Sequence, residues 1–441
     1  MIFGLIALTA FLVYHFTTHT IANRRVLGGR NVDVAALQFN QSQLAFTFSR
    51  AGILWGASSD AGGEVLDVYR SADGGLDWSH GGGPPVPGSC AQGSPQVAST
   101  ADDTQVLAFL GADVCGSVQS LTPFLVVSTR AASSPRWSKL IHVSTPAWKY
   151  GFDDGPALTA TGDRLYLAWE KSLDKETATT VVSTSGDDGR TWSAPVVVSR
   201  VLDHPHLVTV AADGTTLYVA GIDAKLGLWL SVSTDAGKTF SSPASVAPIA
   251  GNPAAECAQT AGQPLPREAR SCDGPNPSLV VDGAKLLVVY SDVGADGTSD
   301  VHAVGIDRRT LKPSFRVRVN PPDTGKTQQF SAVAAVDATT GTAWACWYDT
   351  TFDPHARRTW FTCSASHDGR TWSNPVAAAS QPSPAADIYG TIGGYGLEPA
   401  VIARGGIAHA FWGDSRRYQD EIDPETAAIP EKTAFAAPLK P

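Results

Sequence analysis

The sequence predicts an all-β protein, a β-propeller built from four-stranded antiparallel blades, with seven blades preferred and six the alternative. Three observations point there. A turn of the form serine–x–aspartate–x–glycine–x–threonine–aromatic recurs along the chain: "SADGGLDW" (Ser71, Asp73, Gly75, Trp78), "SGDDGRTW" (Ser185, Asp187, Gly189, Trp192) and "STDAGKTF" (Ser233, Asp235, Gly237, Phe240). Short alternating segments of strand character surround each turn. The composition is that of a turn-rich β protein, with 42 glycines, 29 prolines and 17% charged residues in 441. Such spacing marks repeated supersecondary units, none of which can bury its apolar face alone.

Residues 156–200 show the unit most clearly. "PALTAT" and "DRLYLAWE" alternate, with Leu165, Leu167 and Trp169 on one face; "ATTVVSTS", the turn and "APVVVSR" follow. This is a four-stranded meander. The order recurs from "HLVTVAADGTTLYVAGID" and again from "SAVAAVDATTGTAWACWYD". A degenerate turn, "SASHDGRTW", keeps Gly369 and Trp372 and places His367 at the acidic position with Asp368 beside it. "SSPRWS" keeps only Trp137, and Phe315 is a further degenerate member. A closed ring is favoured over a linear solenoid because it needs no capping repeats and leaves only short edges. A seventh unit begins at "GLEPAVIARGGIAHAFWGDSRR", its outer strand supplied by the N-terminal "RRVLGGRNV". The predicted organisation is one propeller domain over 23–425 with inserted loops at 252–272 and 379–396, followed by a tail at 426–441.

The turn residues have structural work. Glycine takes positive φ without a Cβ clash, serine and aspartate accept hydrogen bonds from the reversing backbone, and the aromatic packs between neighbouring blades. A catalytic role for these aspartates would require several copies of one active site in a single chain.

Residues 1–22, "MIFGLIALTAFLVYHFTTHTIA", read as a signal-peptide core or an uncleaved N-terminal anchor. Either places the rest of the protein outside the cytoplasm, and any membrane attachment would come through this segment. Six cysteines suit an oxidising compartment. Cys346 with Cys363, Cys257 with Cys272 and Cys90 with Cys115 are the expected disulfides, although the spacing leaves other pairings open. A net charge of −9 without a basic run argues against a nucleic-acid partner. A monomer is expected.

If the aromatic turns lie underneath, the starts of first strands and the second-to-third loops lie on top. That rim gathers Asp153, Asp154, His204, His206, Asp273, Gln328, Gln329 and Tyr395 from strand starts. Loops add Arg50, Glu170, Lys171, Asp223, Asp292, Tyr348, Asp349, Arg357, Arg358, Asp414, Arg416 and Arg417. Rims of rigid scaffolds are where sites are built. No cofactor is expected. A structural calcium held by aspartates near 153, 292 and 349 is the alternative. "HPH" also fits a strand cap, Asp414 and Arg416 fit a mutual pair, and Trp169, Trp347 and Trp412 fit core packing.

The turn series resembles the Asp-box, or bacterial neuraminidase repeat, of sialidases and sialidase-like propellers, and covers almost the whole chain. The stretch from "AWACWYDTTFDPHARRTWF" to "FWGDSRR" resembles the final blades of secreted bacterial proteins labelled glycosyl hydrolases. The resemblance implies a central pocket on the face opposite the boxes and a sialidase-like glycoside hydrolase acting on extracellular glycans. In that family, guanidinium forks hold the sugar carboxylate, a carboxylate-activated tyrosine attacks, and an acid protonates the leaving oxygen. By position, the resemblance offers Arg50, Arg358 and Arg416 as clamps, and Tyr395 or Tyr348 as nucleophile. Glu170 or Asp292 would be the base, Asp153 or Asp154 the acid. His204, His206, Asp349 and Asp414 would complete the binding rim. The family's arginine–isoleucine–proline signature near the first blade is absent from "NRRVLGG" and "TFSRAG". The alternative is a non-catalytic propeller binding glycan or protein through the same face.

Overall fold

The computed structural model describes residues 31–34, 41–60, 66–84, 91–112, 123–144, 153–172, 178–199, 206–223, 225–250, 277–293, 298–322, 327–353, 358–384, 399–414 and 433–441. All of the regular structure among them is strand, arranged in seven antiparallel sheets. Blade 1 runs from Gln41–Phe48 to Ser79–Gly82, blade 2 from Ala91–Ser99 to Ile141–Ser144, and blade 3 from Asp153–Thr161 to Val196–Val197. Blade 4 runs from His206–Asp213 to Ala244–Ala247 and blade 5 from Ser278–Asp282 to Pro313–Arg318. Blade 6 runs from Gln329–Asp337 to Val376–Ala377, with Ser383–Pro384 also pairing its third strand.

Blade 7 closes the ring with both ends of the chain. Ala400–Arg404 and Ile407–Asp414 are followed by Thr433–Leu439, and Val32–Asp33 adds the outer strand. The N-terminal contribution is as the sequence predicts. The expected tail at 426–441 is corrected: Thr433–Leu439, "TAFAAPL", is the third strand of this blade. Its alanines make it a weak strand on propensity, but Ala434, Ala436 and Ala437 are buried, so ring closure selects the conformation.

The aromatic turns all join third to fourth strands and fold alike. In blade 3, Ser185 Oγ donates to Asp187 Oδ1 at 2.8 Å and accepts from Gly189 N at 3.0 Å, while Asp187 accepts from Thr191 N at 2.9 Å. Trp192 Nε1 donates to Gly189 O at 3.1 Å. Ser71 and Ser233 hold their own turns in the same way. Two successive residues take positive φ in each, Gly74–Gly75, Asp188–Gly189 and Ala236–Gly237. The fourth turn corrects the sequence alignment. Ser366 Oγ donates to Asp368 at 3.1 Å, so Asp368 holds the acidic place given to His367. This copy is one residue shorter before its glycine and has one positive-φ residue, Gly369, where the others have two.

Seven clusters of buried side chains follow, each made by two adjacent blades. Blades 2 and 3, for example, share Val106, Leu125, Leu165, Leu167 and Trp169, while Phe46 of blade 1 stacks on Phe411 of blade 7 with ring centroids 3.7 Å apart. The core is thus a ring of interfaces, as expected for units that cannot fold singly. Cys346 and Cys363, direct partners on the second and third strands of blade 6, form the expected disulfide. Cys90, Cys115, Cys257 and Cys272 lie outside the described residues, as do residues 1–22.

The turn glycines make the closest approach between blades. A Cβ on Gly237 would stand 2.8 Å from Thr184 of blade 3, whereas one on Gly214, also at positive φ, would meet nothing within 4 Å. Gly214→Ala is expected to cost about 1 kcal/mol through backbone strain alone. Gly237→Ala should cost clearly more. Urea unfolding of the two variants measures the difference, and equal losses would show that the contact carries no load.

Candidate active site

The first strands of all seven blades surround an axial cavity of about 280 Å³. It runs past Ala45, Gln96, Ala157, Thr209, Ser278, Val333 and Ala400, one position from each blade. Small side chains there leave the axis open. Four first strands present a proline just before that position, in Pro95–Gln96, Pro156–Ala157, Pro277–Ser278 and Pro399–Ala400. Toward the upper end, the first strands of blades 1, 2, 3, 4 and 6 slip register through β-bulges. Gln43, Ser94, Gly155 and Ser331 take positive φ at these slips. Three of them carry side chains, and such strain persists only where surrounding structure enforces it. Gln43 and Ser94 support each other, with Gln43 Nε2 donating to Ser94 Oγ at 3.0 Å and Ser94 N donating to Gln43 Oε1 at 2.7 Å. Bulges of this kind re-aim side chains at a rim.

Blade 3 supplies the chemistry. Of the two acids at its start, Asp153 is completely buried, accepts from Trp169 Nε1 at 3.1 Å and pairs with Lys171 Nζ at 3.5 Å. Burial raises its carboxyl as it does that of Glu170, but its full enclosure with Trp169 and Lys171 takes it off the rim, which corrects its expected place there. Asp154 is surface-accessible at the start of the first strand, directly opposite Glu170 on the second strand. Alternation places both on the face turned toward blade 4, since Tyr166 and Ala168 pack there while Leu167 and Trp169 pack against blade 2. Glu170 is only 7% exposed, and its Oε1 has no hydrogen-bond partner. Burial first, and then the charge of Asp154, raises its carboxyl well above the ordinary 4.5. Burial of its carboxyl raises Asp154 too, against the opposing hydrogen bond from Gly155 N at 2.7 Å.

Two further buried polar atoms lie on facing strands without partners, Thr180 Oγ1 opposite Glu170 and Trp229 Nε1 in the cluster between blades 3 and 4. Native proteins satisfy most such groups, and here two lie on the blade 3–blade 4 side, as does Glu170. Sequence reasoning missed Thr180, Trp229 and Gln96. The first two carry no pattern that separates them from core. Gln96 was visible in principle as a polar residue following the recurrent strand-start proline.

The other predicted rim residues divide sharply. Asp349 accepts from Thr351 N at 2.8 Å and from Trp347 Nε1 at 3.2 Å, and Asp414 accepts from Trp412 Nε1 at 3.0 Å. Asp292 accepts from Ala250 N and pairs with Arg316 at 3.2 Å. All three are buried upper anchors of their blades, not ligand groups. Tyr348 is fully buried between blades 6 and 7, donating from Oη to Gly413 O at 3.0 Å and accepting from Gly413 N at 3.1 Å. Burial and the charge of Asp414 drive its phenol upward, and its enclosure between the blades corrects its expected place on the rim. Arg50 lies on the opposite face. Gln41–Phe48 is the first strand of blade 1, so "SRAG" is a first-to-second turn on the underside, where Arg50 N donates to Asp103 and Arg404 donates to Arg50 O. Arg358 begins a third strand at the upper end and is exposed, and His206 begins the first strand of blade 4. Trp169, Trp347 and Trp412 are core residues. His204, Tyr395, Arg416, Asp273, Arg357 and Arg417 lie outside the described residues. Among the described residues no cluster of metal-binding side chains occurs.

No family model matches the chain, and no curated protein matches it. Solved structures do. A Hadza microbial sialidase, Hz136, superposes with a TM-score of 0.50 at 16% identity, over 72% of this chain and 66% of that one. A protein of unknown function from Dyadobacter fermentans gives 0.50 at 11% identity, over 94% and 99%. The GH93 α-L-arabinofuranosidase of Fusarium graminearum, solved with arabinobiose, gives 0.50 at 12% identity, over 94% and 98%. The fold is a seven-bladed β-propeller, similar to the folds of these solved structures.

A raised carboxyl has a stability signature. Between about pH 4.5 and its folded value, the native state holds a proton at Glu170 that the unfolded chain has released. Wild-type stability must therefore fall as pH rises through that window. Glu170→Gln should flatten this part of the melting-temperature profile, gaining over wild type at neutral pH and matching it below about pH 4.5. Parallel profiles would show that the carboxyl is not held neutral.

Proposed function

We propose that the protein is a glycoside hydrolase of the sialidase-like fold, working on extracellular glycans at the upper mouth of its axial cavity. The observation that carries this reading is the Asp154–Glu170 pair. Two carboxyls occupy directly opposite strand positions, and burial raises both, Glu170 the more strongly. Glycoside hydrolysis asks for such a division, a protonated acid for the leaving oxygen and an ionised partner on the other side of the anomeric carbon. Glu170 is assigned as the acid that protonates the glycosidic oxygen. Asp154 is assigned as the carboxylate that attacks or activates water. Cross-strand partners stand about 5 Å apart at Cβ, which brings the two side chains onto one face of the blade. The fold shared with a sialidase and an arabinofuranosidase supports the reaction class. It leaves the sugar open at identities of 16% and 12%.

Export is part of the proposal, supported by the disulfide and the apolar start of the chain. A second reading, a glycan-binding propeller without turnover, is favoured by the number of rim acids committed to framework bonds. Purified protein offered a panel of fluorogenic glycosides separates the two. Turnover should fall by about 10²-fold or more in Glu170→Gln, a loss typical of removing a general acid, and by at least as much in Asp154→Asn. Asp153→Asn should act through stability. Turnover untouched by the first two changes would remove the assignment, and binding without turnover would favour the second reading.

A further inference from the structure

We infer that the cavity takes one terminal, uncharged sugar ring, with the Gln96 side chain as its specificity-determining contact. This rests on the reading of the mouth as a glycan site and adds the class of glycan. The first ground is size. At about 280 Å³ the cavity sits at the lower edge of small-molecule pockets, which start near 300 Å³. The seven first strands line it laterally, so a ring enters along the axis and a longer chain continues out through the mouth. Cleavage of terminal units follows from that shape.

The second ground is charge. The cavity wall is made of uncharged residues, while Asp154 directly precedes the lining residue Gly155 and has Glu170 opposite it on the second strand. A ring bearing a carboxylate would lose hydration in entering and meet acids there. A neutral ring needs only hydrogen-bonding groups. Two of the wall's hydroxyls already take a backbone amide hydrogen, Thr209 Oγ1 from Leu279 N at 3.2 Å and Ser278 Oγ from Ala334 N at 2.9 Å, and the third, that of Ser331, sits on the strained bulge of blade 6. Gln96 differs. It is half-buried on the wall, and its amide carries both a donor and an acceptor with no protein partner among the described residues. An amide of this kind suits the paired donor and acceptor character of adjacent sugar hydroxyls.

Calorimetric titration of the full chain tests this with matched probes: methyl galactoside, glucoside and mannoside against the corresponding uronates, with methyl arabinofuranoside as a neutral pentose. At least one neutral ring should bind at least tenfold more tightly than its uronate or than sialyllactose. Gln96→Ala should weaken that binding fivefold or more while leaving the melting temperature unchanged. Gln96→Glu, which keeps the shape and adds a charge, should weaken it at least as much. Equal or tighter binding of the uronates or sialyllactose, no binding of any neutral ring, or neutral binding indifferent to both Gln96 variants would overturn the inference. Neutral-ring binding without hydrolysis of any glycoside would sink the enzymatic reading and leave this one standing.

Discussion

The contact of each turn glycine with the blade before it is the constraint on which the rest of the structure depends. Gly75 of blade 1 faces His409 of blade 7, Gly189 of blade 3 faces Thr129 and Val106 of blade 2, and Gly237 of blade 4 faces Thr184 of blade 3. Gly369 of blade 6 faces Leu287 and Phe315 of blade 5 in the same way. A left-handed residue without a Cβ lets the reversing backbone lie against its neighbour. The serine and aspartate bonds within each turn hold it in that posture, and the aromatic that follows fills the interface above. Blade-to-blade spacing on the underside is thereby fixed at several places around the ring by the same atoms.

Further links on the underside join the first-to-second turns into a belt. Gly214 N donates to Thr161 Oγ1 at 3.2 Å, Arg308 pairs with Asp213, and Gly406 N donates to Asp337. Arg404 of blade 7 donates to Ser49 O of blade 1 at 2.8 Å, carrying the belt across the chain closure. The upper end is held by different means. Buried aspartates at the ends of second strands take indole and loop amide hydrogens, as Asp349 and Asp414 do. With both ends pinned, the first strands can carry strained bulges without loosening the ring. The rigidity that site geometry requires is therefore supplied from outside the site.

Asp154 and Glu170 illustrate how that rigidity becomes chemistry. Burial of an unpaired carboxyl opposes folding, and the blade 3–blade 4 interface tolerates it because its apolar contacts are made elsewhere along the same strands. The neighbouring Asp153, whose carboxyl burial also raises, differs in having a charged and an indole partner. Its partners, Trp169 and Lys171, lie on the other face of the strand, and they turn the same residue type into a structural anchor.

The sequence by itself determined the repeat, the underside turns, the strand order within blades, the N-terminal outer strand and the Cys346–Cys363 pairing. These depend on local patterns: alternation with period two, glycine where φ is positive, and neighbouring strands joined by short loops. The region of the site was legible too, since strand starts and second-to-third loops must share one end of every blade. Which residues there meet a ligand was decided only by the tertiary structure. Asp153 and Asp154 differ by the face of a strand, Arg50 was misplaced by one strand of blade 1, and Tyr348 and Asp414 were claimed by neighbours in another blade or strand. The tail at 433–439 became a strand because the ring had an edge to fill. Each of these outcomes turns on contacts between segments distant in sequence, which set burial and charge and which no local pattern encodes.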